Sequence, residues 1–168
     1  MTMPDRAAAL STQLADVHRS MRERLAALRQ QVAAGTGPQG ADGRGPTGAD
    51  DADSADLLSY CLGVCTAIST HHTGEDGQLL PALQAAAPEL APVIGKLIED
   101  HVLVAGLLRQ IRELLGRDSW EPDVLLRELD GLAAILESHF GFEERRISRA
   151  LDALGPGAWT AEVFAPSP

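Results

Sequence analysis

Apolar residues recur along this chain at alternating steps of three and four, the spacing that places side chains on one face of an α-helix. Four segments show this pattern, and sustained alternation of apolar and polar residues, which is typical of strands, is absent. The four apolar stripes are Leu10, Leu14, Met21, Leu25, Leu28 and Val32; Leu57, Cys61, Val64 and Ile68; Leu97, Val104, Leu108, Ile111 and Leu115; and Leu125, Leu129, Leu132, Leu136 and Ile147. Four amphipathic helices with three connections predict an all-α fold, an antiparallel up-down-up-down four-helix bundle.

The segment 35–54 interrupts the helical pattern because it consists almost entirely of Gly, Pro, Asp and other polar or small residues. Such a segment buries too little apolar surface to offset its ordering entropy. We therefore predict a long disordered loop between the first and second helices. The bundle domain is predicted to span residues 1–152, followed by a C-terminal tail, 153–168, from which Trp159 and Phe164 could dock onto the bundle.

The end of the second predicted helix carries three residues that weaken an α-helix, Gly74, Gly77 and Pro81. Glycine lowers helix propensity, and proline lacks the backbone N–H that a helix interior requires. We expect this helix to kink or end soon after Glu75.

Composition and charge narrow the classes of function. The 168 residues include 14 Lys and Arg against 24 Asp and Glu, a net charge of −10, and 45% of residues are apolar. This is a globular composition, and its acidity argues against nucleic acid or an anionic membrane as partner. No apolar run approaches the roughly 20 residues of a membrane span, and no secretory signal is recognisable. We expect a cytoplasmic protein, from a bacterial GC-rich genome since Ala and Gly abound and Lys96 is the one lysine; the oligomeric state stays open.

Each predicted helix carries one histidine on its apolar stripe, and two of the helices add a glutamate four residues later. Residues four apart project from the same side of a helix, one turn apart. The residues concerned are His18, His71 with Glu75, His101, and His139 with Glu143. Residues 71–76 (HHTGED) also align with residues 139–144 (HFGFEE), so the chain reads as one helix pair repeated twice. A bundle built in this way has approximate two-fold symmetry.

Buried imidazoles and carboxylates are costly unless they are paired or bound to a metal. One histidine on an apolar stripe is more often a satisfied core residue, and a HisxxxGlu pair can be an ordinary hydrogen-bonded pair on a solvated face. Here four of the five histidines fall one per helix on the stripes, and two carry a glutamate at the same offset. This coincidence favours a site for a pair of metal ions.

The fifth histidine, His72, makes the ligand register ambiguous because His72 and Asp76 are also four residues apart. His71 is favoured because it continues the apolar stripe and because its counterpart in the second half is His139, with Phe140 opposite His72. We expect His72 beside the ligands, as an outer-sphere or proton-relay residue, or alternatively at an ordinary surface position.

The pattern His … HisxxxGlu … His … HisxxxGlu resembles that of the hemerythrin-like HHE cation-binding family over residues from about 10 to 150. The resemblance implies a non-haem di-iron centre, oxo- or hydroxo-bridged, with His18, His71, Glu75, His101, His139 and Glu143 as iron ligands. Oxygen-carrying members have a further histidine four residues after the one on the third helix, where this chain has Ala105. The resemblance therefore implies a more open iron site than a reversible oxygen carrier has, unless His72 takes that place.

Imidazole and carboxylate ligands with open positions suit iron, and also manganese or zinc, and the resemblance favours two iron ions. We expect a protein that binds and reacts with O2, peroxide or NO, in peroxide decomposition or in oxygen or redox sensing. Three alternatives remain: a di-iron oxygenase or oxidase acting on an organic substrate, with segment 35–54 as a lid; a non-catalytic iron store or sensor; and a metal-free interaction bundle.

Overall fold

The computed structural model describes residues 9–35, 49–118, 120–155 and 161–164, and all regular structure within these ranges is helical. The elements are α1 (Leu10–Gly35), α2 (Ala49–Gly74), a π-helical turn (Glu75–Leu79), α3 (Leu80–Ala86), a 3-10 turn (Pro88–Leu90), α4 (Ala91–Leu115), α5 (Pro122–Leu154) and the short α6 (Ala161–Phe164). Four of them, α1, α2, α4 and α5, are long. The predicted all-α four-helix bundle is confirmed.

The long helices form a closed ring in which α1 and α4 each pack between α2 and α5. Helices α1 and α5 are antiparallel, since Ser11 contacts Asp152 at one end while Arg29 contacts Asp130 towards the other. Helices α1 and α2 are also antiparallel, and so are α2 and α4. On α4, His101 contacts Asp76, which follows α2, whereas the later Arg112 contacts the earlier Ser69 on α2. The direction of the chain therefore alternates along the four helices.

The apolar core is divided into two clusters with a polar layer between them. Along α1, Leu14 belongs to one cluster and Met21 to the other, and His18 lies between them in the chain. Along α5, Leu136 and Ile147 are separated in the same way. The inward-facing positions of these helices thus pass from one apolar cluster through the polar layer to the other cluster. The histidines occupy such positions, so they follow the same three- and four-residue spacing as the apolar residues.

Helix α2 begins at Ala49, so residues 49–54, which we predicted as the end of the loop, belong to this helix. Extending an existing helix adds one backbone hydrogen bond for each residue that is fixed, so a polar segment can be helical where it continues the apolar part of a helix. Composition alone therefore placed the start of α2 too late. The remainder of the predicted loop, 36–48, lies outside the described residues.

The α-helical hydrogen-bond pattern stops at Gly74, as the weak helix formers predicted, but the chain continues as a π-helical turn. The N–H of Leu80 donates to the carbonyl oxygen of Glu75, and α3 then begins with Pro81 in its first turn. Proline has no backbone N–H and cannot donate the hydrogen bond of an α-helix interior. A wide turn just before Pro81 places this residue in the first turn of a new helix, where that hydrogen bond is not needed. The interruption therefore lies at Glu75, one of the predicted ligands.

The C-terminal element α6 packs against α1 and α2. Val163 is fully buried in the same apolar cluster as Leu14, and Phe164 packs against that cluster, as predicted. Trp159, the other residue predicted to dock, lies outside the described residues. Across the ranges that the structure describes, no helix is both long enough and apolar enough to cross a membrane.

Candidate metal centre

The structure brings the six predicted ligands together in the polar layer of the bundle. Each is buried, with an exposed fraction between 0% and 3%. They come from all four long helices and the π-helical turn: His18 from α1, His71 from α2, Glu75 from the π-helical turn, His101 from α4, and His139 and Glu143 from α5. Spacing along the sequence therefore located one compact cluster.

The cluster is a closed ring of six side chains in which two histidine pairs alternate with two carboxylates. The Nε2 atoms of His18 and His71 lie 3.1 Å apart, and so do the Nε2 atoms of His101 and His139. Between the pairs stands Glu75, with Oε1 3.1 Å from His71 Nε2 and Oε2 3.4 Å from His101 Nε2.

Glu143 spans the opposite side of the ring. Its Oε2 atom lies 3.4 Å from His18 Nε2 and 3.7 Å from His139 Nε2. Each glutamate thus touches one imidazole of each pair, an arrangement in which a carboxylate could bridge two cations.

The separation within a histidine pair matches two ligands of one ion. Two nitrogen atoms each about 2.1 Å from an ion and at a right angle lie about 3 Å apart. The Nδ1 atom of His71 donates a hydrogen bond to the carbonyl oxygen of Val163, at 2.9 Å, and that of His18 faces Glu144 Oε1, also at 2.9 Å. A neutral imidazole with its proton on Nδ1 presents a lone pair at Nε2. The two facing lone pairs repel one another unless a proton or a cation lies between them.

Nδ1 of the other two imidazoles also faces outward to an acidic residue. Nδ1 of His101 lies 2.7 Å from Oδ1 of Asp76. Nδ1 of His139 lies 3.6 Å from Oδ2 of Asp100, which is too far for a hydrogen bond. Acceptors at the outer nitrogen fix the tautomer and direct Nε2 towards a metal.

Several buried polar atoms of the ring have no hydrogen-bond partner among the described residues. They are both carboxylate oxygens of Glu75, both of Glu143, and Nδ1 of His139. Oε1 of Glu75 lies close to His71 Nε2 without hydrogen-bond geometry, so the two atoms converge without pairing. An unpaired buried polar group costs about 1–3 kcal/mol, and more when it is charged. Oxygen and nitrogen atoms of this kind fit a cation.

The two glutamates respond oppositely to their surroundings. Burial raises the pKa of Glu143 well above its usual value, and the negative charge of Glu75 raises it further. Burial also opposes ionisation of Glu75, but His71 and His101 outweigh it and hold the pKa of Glu75 well below its usual value. The metal-free pair of carboxyl groups therefore retains a proton far above the pH at which a solvated carboxyl loses it.

Most of the imidazoles favour the neutral form that a metal requires. Burial lowers the pKa of His18, and burial together with His101 lowers the pKa of His139 to about 4. Burial also lowers the pKa of His72 well below its usual value. His101 differs, because Glu75 and Asp76 outweigh the effect of burial and raise its pKa.

His72 is buried, with an exposed fraction of 5%, so the alternative of a surface position is wrong. Its ring stacks on that of His101, with ring centroids 4.1 Å apart. The structure thus places His72 against the ring of predicted ligands.

Sequence reasoning missed the acceptors at the outer nitrogens. Asp76 and Glu144 each directly follow a predicted ligand glutamate, and they occupy equivalent places in the alignment of HHTGED with HFGFEE. That repeated acidic residue was the signal available in the sequence. Nothing comparable marks Val163, whose carbonyl oxygen accepts from a histidine 92 residues earlier in the chain.

A cleft between α1 and α5 approaches the site from one side. Its volume is about 460 Å³, Met21, Arg22 and Phe140 are among its lining residues, and none of the six ring residues lines it. Arg22 donates to Glu144, with Nη1 3.1 Å from Oε1, and Phe140 stacks on His18 with ring centroids 3.9 Å apart. Phe140 therefore contacts both the cleft and the ring of ligands.

Comparison with known proteins gives one match, and it agrees with this geometry. No curated protein and no solved structure matches the chain significantly. The family model described as hemerythrin HHE cation binding domain matches residues 9–151, which include all the buried histidines and glutamates of the polar layer. The chain therefore belongs to the hemerythrin HHE cation-binding family, and this membership together with the buried histidine and glutamate cluster supports binding of a metal cation.

Proposed function

We propose that the cluster holds two iron ions, one between His18 and His71 and the other between His101 and His139. Glu75 and Glu143 would bridge the two ions, since each carboxylate already touches one imidazole of each pair. The single observation that carries this proposal is the closed ring, in which histidine pairs and carboxylates alternate around one centre.

The donor set favours iron over zinc. Structural zinc sites are tetrahedral and closed, whereas this ring offers four imidazoles and two carboxylates to a pair of ions. Imidazole and carboxylate donors with open positions are typical of non-haem iron, although manganese accepts similar ligands. Membership of a cation-binding family agrees with a resident metal but does not choose among them.

The function proposed for this centre is reaction with a small oxidant, namely O2, peroxide or NO, in peroxide decomposition or in oxygen or redox sensing. Two iron ions supply binding of such molecules and exchange between ferrous and ferric states. The protein's own part is to exclude bulk water with the two apolar clusters and to keep the imidazoles of His18 and His139 neutral by burial. Outer acceptors on the histidines hold the rings in place.

The experiment measures iron per chain and the optical and Mössbauer spectra of the loaded protein before and after addition of peroxide, with oxygen evolution as the assay. We expect two irons per chain, a spectral change on oxidation and turnover of peroxide. Glu75→Gln is expected to lose bound iron, whereas the matched change at the exposed Glu113, Glu113→Gln, is expected to retain it. Protein that binds no iron pair would refute the proposal. Two irons with a spectral change but no turnover would support sensing, and iron without either response would support storage.

The cleft between α1 and α5 favours a second candidate, an oxygenase or oxidase acting on an organic substrate. Its volume of about 460 Å³ is within the usual range for small-molecule sites, and it reaches Phe140. The charges on its wall balance, because Arg22 pairs with Glu137 and Arg29 pairs with Asp130, so the cleft favours an uncharged apolar substrate. Oxygen uptake that depends on such a substrate and is lost when Ala26→Trp fills the cleft would support this candidate.

A further inference from the structure

The polar layer has approximate two-fold symmetry, and one pair of equivalent positions breaks it. His72 on α2 and Phe140 on α5 occupy the same place in the repeated segments HHTGED and HFGFEE. Phe140 stacks on His18, with centroids 3.9 Å apart and planes 13° apart. In the other half, His72 stacks on His101, with centroids 4.1 Å apart and planes 12° apart. The two halves therefore share a packing arrangement but differ by one imidazole.

One ring nitrogen of His72 lies near the donor atoms of only one of the two proposed ion positions, the one at His101 and His139. One nitrogen of His72 and one donor atom each of Glu75, His101 and His139 all lie within 4.8 Å of one another. In an octahedral site with bonds of about 2.1 Å, opposite ligands are about 4.2 Å apart and adjacent ones about 3 Å apart. The four donors can surround one ion once the His72 ring turns out of its stack with His101, because an imidazole nitrogen binds an ion that lies near its own ring plane.

The Nε2 atom of His72 is buried and has no hydrogen-bond partner within the part of the chain that the structure describes. An outer-sphere residue or a proton relay acting through Nε2 needs a hydrogen bond from this atom, and the contacts of the His72 ring with neighbouring imidazoles are stacked, tilted or edge-on. A buried imidazole nitrogen without a partner is costly, and coordination removes that cost.

We propose that His72 is itself a ligand of the ion held by His101 and His139, which gives this ion three imidazoles and leaves the other ion two. This assignment rests on the proposed pair of ions and replaces the outer-sphere role expected from the sequence. It makes the two positions unequal, so the ion at His72, His101 and His139 binds first and more tightly. The ion beside Phe140, at His18 and His71, binds second.

The test uses two variants of the full chain: His72→Phe, which gives position 72 the residue found at position 140, and Ile111→Val, which alters apolar packing ten residues beyond His101 on α4 and about 15 Å from it along the helix. Anaerobic titrations with Fe²⁺ and with redox-inert Co²⁺ give the two binding constants. Mössbauer spectra of the Fe²⁺ form report whether the two irons have the same surroundings.

For the wild type we expect two resolved binding steps and two distinct Mössbauer doublets. His72→Phe should weaken the tighter step by more than the roughly 10- to 100-fold that loss of an outer-sphere residue costs, and its two doublets should converge. Ile111→Val should leave the tighter step unchanged. His72→Gly with added imidazole should recover the tighter step in part.

A structural role for His72 predicts a different outcome. In that case His72→Phe lowers the unfolding free energy of the metal-free protein while both binding steps and both doublets stay as in the wild type, and the assignment is overturned. If His72→Phe fails to fold, the number of imidazoles per metal from X-ray absorption of the wild type decides. Wild type that loads only the ion at His72 averages three imidazoles under the assignment and two without it. Wild type that binds no pair of ions contradicts the proposed function instead.

Discussion

The carboxylate of Asp76 lies 2.7 Å from Nδ1 of His101, so a residue of the π-helical turn on one side of the bundle orients an imidazole of α4. Glu144 makes the equivalent contact to His18 at 2.9 Å in the other half. In both halves the acidic residue that follows a ring glutamate holds the histidine of a neighbouring helix. In each repeated segment the glutamate therefore faces the centre of the ring, and the acidic residue after it contacts the outer nitrogen of a histidine.

Removal of this orienting carboxylate should weaken metal binding without unfolding the bundle. For Asp76→Ala we expect about a 10- to 100-fold loss of Fe²⁺ affinity, because the His101 ring loses the acceptor that fixes its tautomer and orientation. The measurement is competition with a chelator of known affinity. Asp130→Ala removes an exposed partner of Arg29 at a distant point and serves as the control. Equal affinities for the two variants would contradict an orienting role.

The convergence of the six side chains could be predicted from the sequence because spacing along a helix determines the direction of a side chain. His18 continues the stripe of Leu14 and Met21, so periodicity alone placed it at the bundle axis. The same rule placed Glu75 and Glu143 one turn beyond a histidine. The face of a helix on which a residue lies depends only on nearby sequence. The spacing within each of the four helices was therefore enough to predict which side chains converge.

The rest depended on contacts that no local pattern encodes. Val163 contacts His71 only because α6 folds back onto the apolar cluster that contains Leu14. The orientation of His72 depends on the neighbouring His101 ring, which belongs to another helix. The start of α2 was placed too late because composition weighed against the segment 49–54, whereas a helix that is already formed extends at little cost.

Replacement of a ring glutamate should have opposite effects on the metal-free and metal-bound protein. Burial and the charge of Glu75 raise the pKa of Glu143, so ionisation of this group in the folded protein is unfavourable. Glu143→Gln keeps the shape and removes the charge. We expect a higher unfolding free energy for the metal-free variant at pH 7 to 8, by about 1 kcal/mol or more, and loss of the second bound ion.

Denaturant unfolding of the metal-stripped proteins, followed by metal analysis after reloading, tests both effects. Glu113→Gln, at an exposed position on α4, gives the baseline for removing one negative charge. A Glu143→Gln protein that is less stable than wild type without metal and still binds two ions would show that Glu143 is a structural residue.

The metal-free protein should lose stability in mild acid. His139 has a folded-state pKa of about 4 against an ordinary value of 6.5, so between these values the unfolded chain takes up a proton that the folded protein does not. Stability is therefore complete above about pH 6.5 and falls as the pH drops towards 4, by up to about 3 kcal/mol from this residue. His101 contributes in the opposite direction because its pKa is raised.

The contribution of His139 is isolated by comparing wild type with His139→Gln. Unfolding free energies of the two metal-free proteins, measured by urea denaturation from pH 7.5 to 4.5, should converge as the pH falls. Parallel curves over this range would mean that the His139 imidazole is protonated in the folded protein as readily as in the unfolded chain.

The C-terminal element should be part of the metal site as well as of the core. The carbonyl oxygen of Val163 accepts the hydrogen bond from Nδ1 of His71, and its side chain is fully buried. A chain that ends at Gly155 loses both contributions, so we expect weaker Fe²⁺ binding, by about 10-fold or more, and a lower unfolding free energy without metal. Val163→Ala separates the two effects, because it trims the side chain and keeps the carbonyl. It should lower the unfolding free energy by about 1–2 kcal/mol while Fe²⁺ affinity stays near that of wild type. If Val163→Ala and the shortened chain lose metal affinity equally, packing of α6 controls the site and the hydrogen bond to His71 does not.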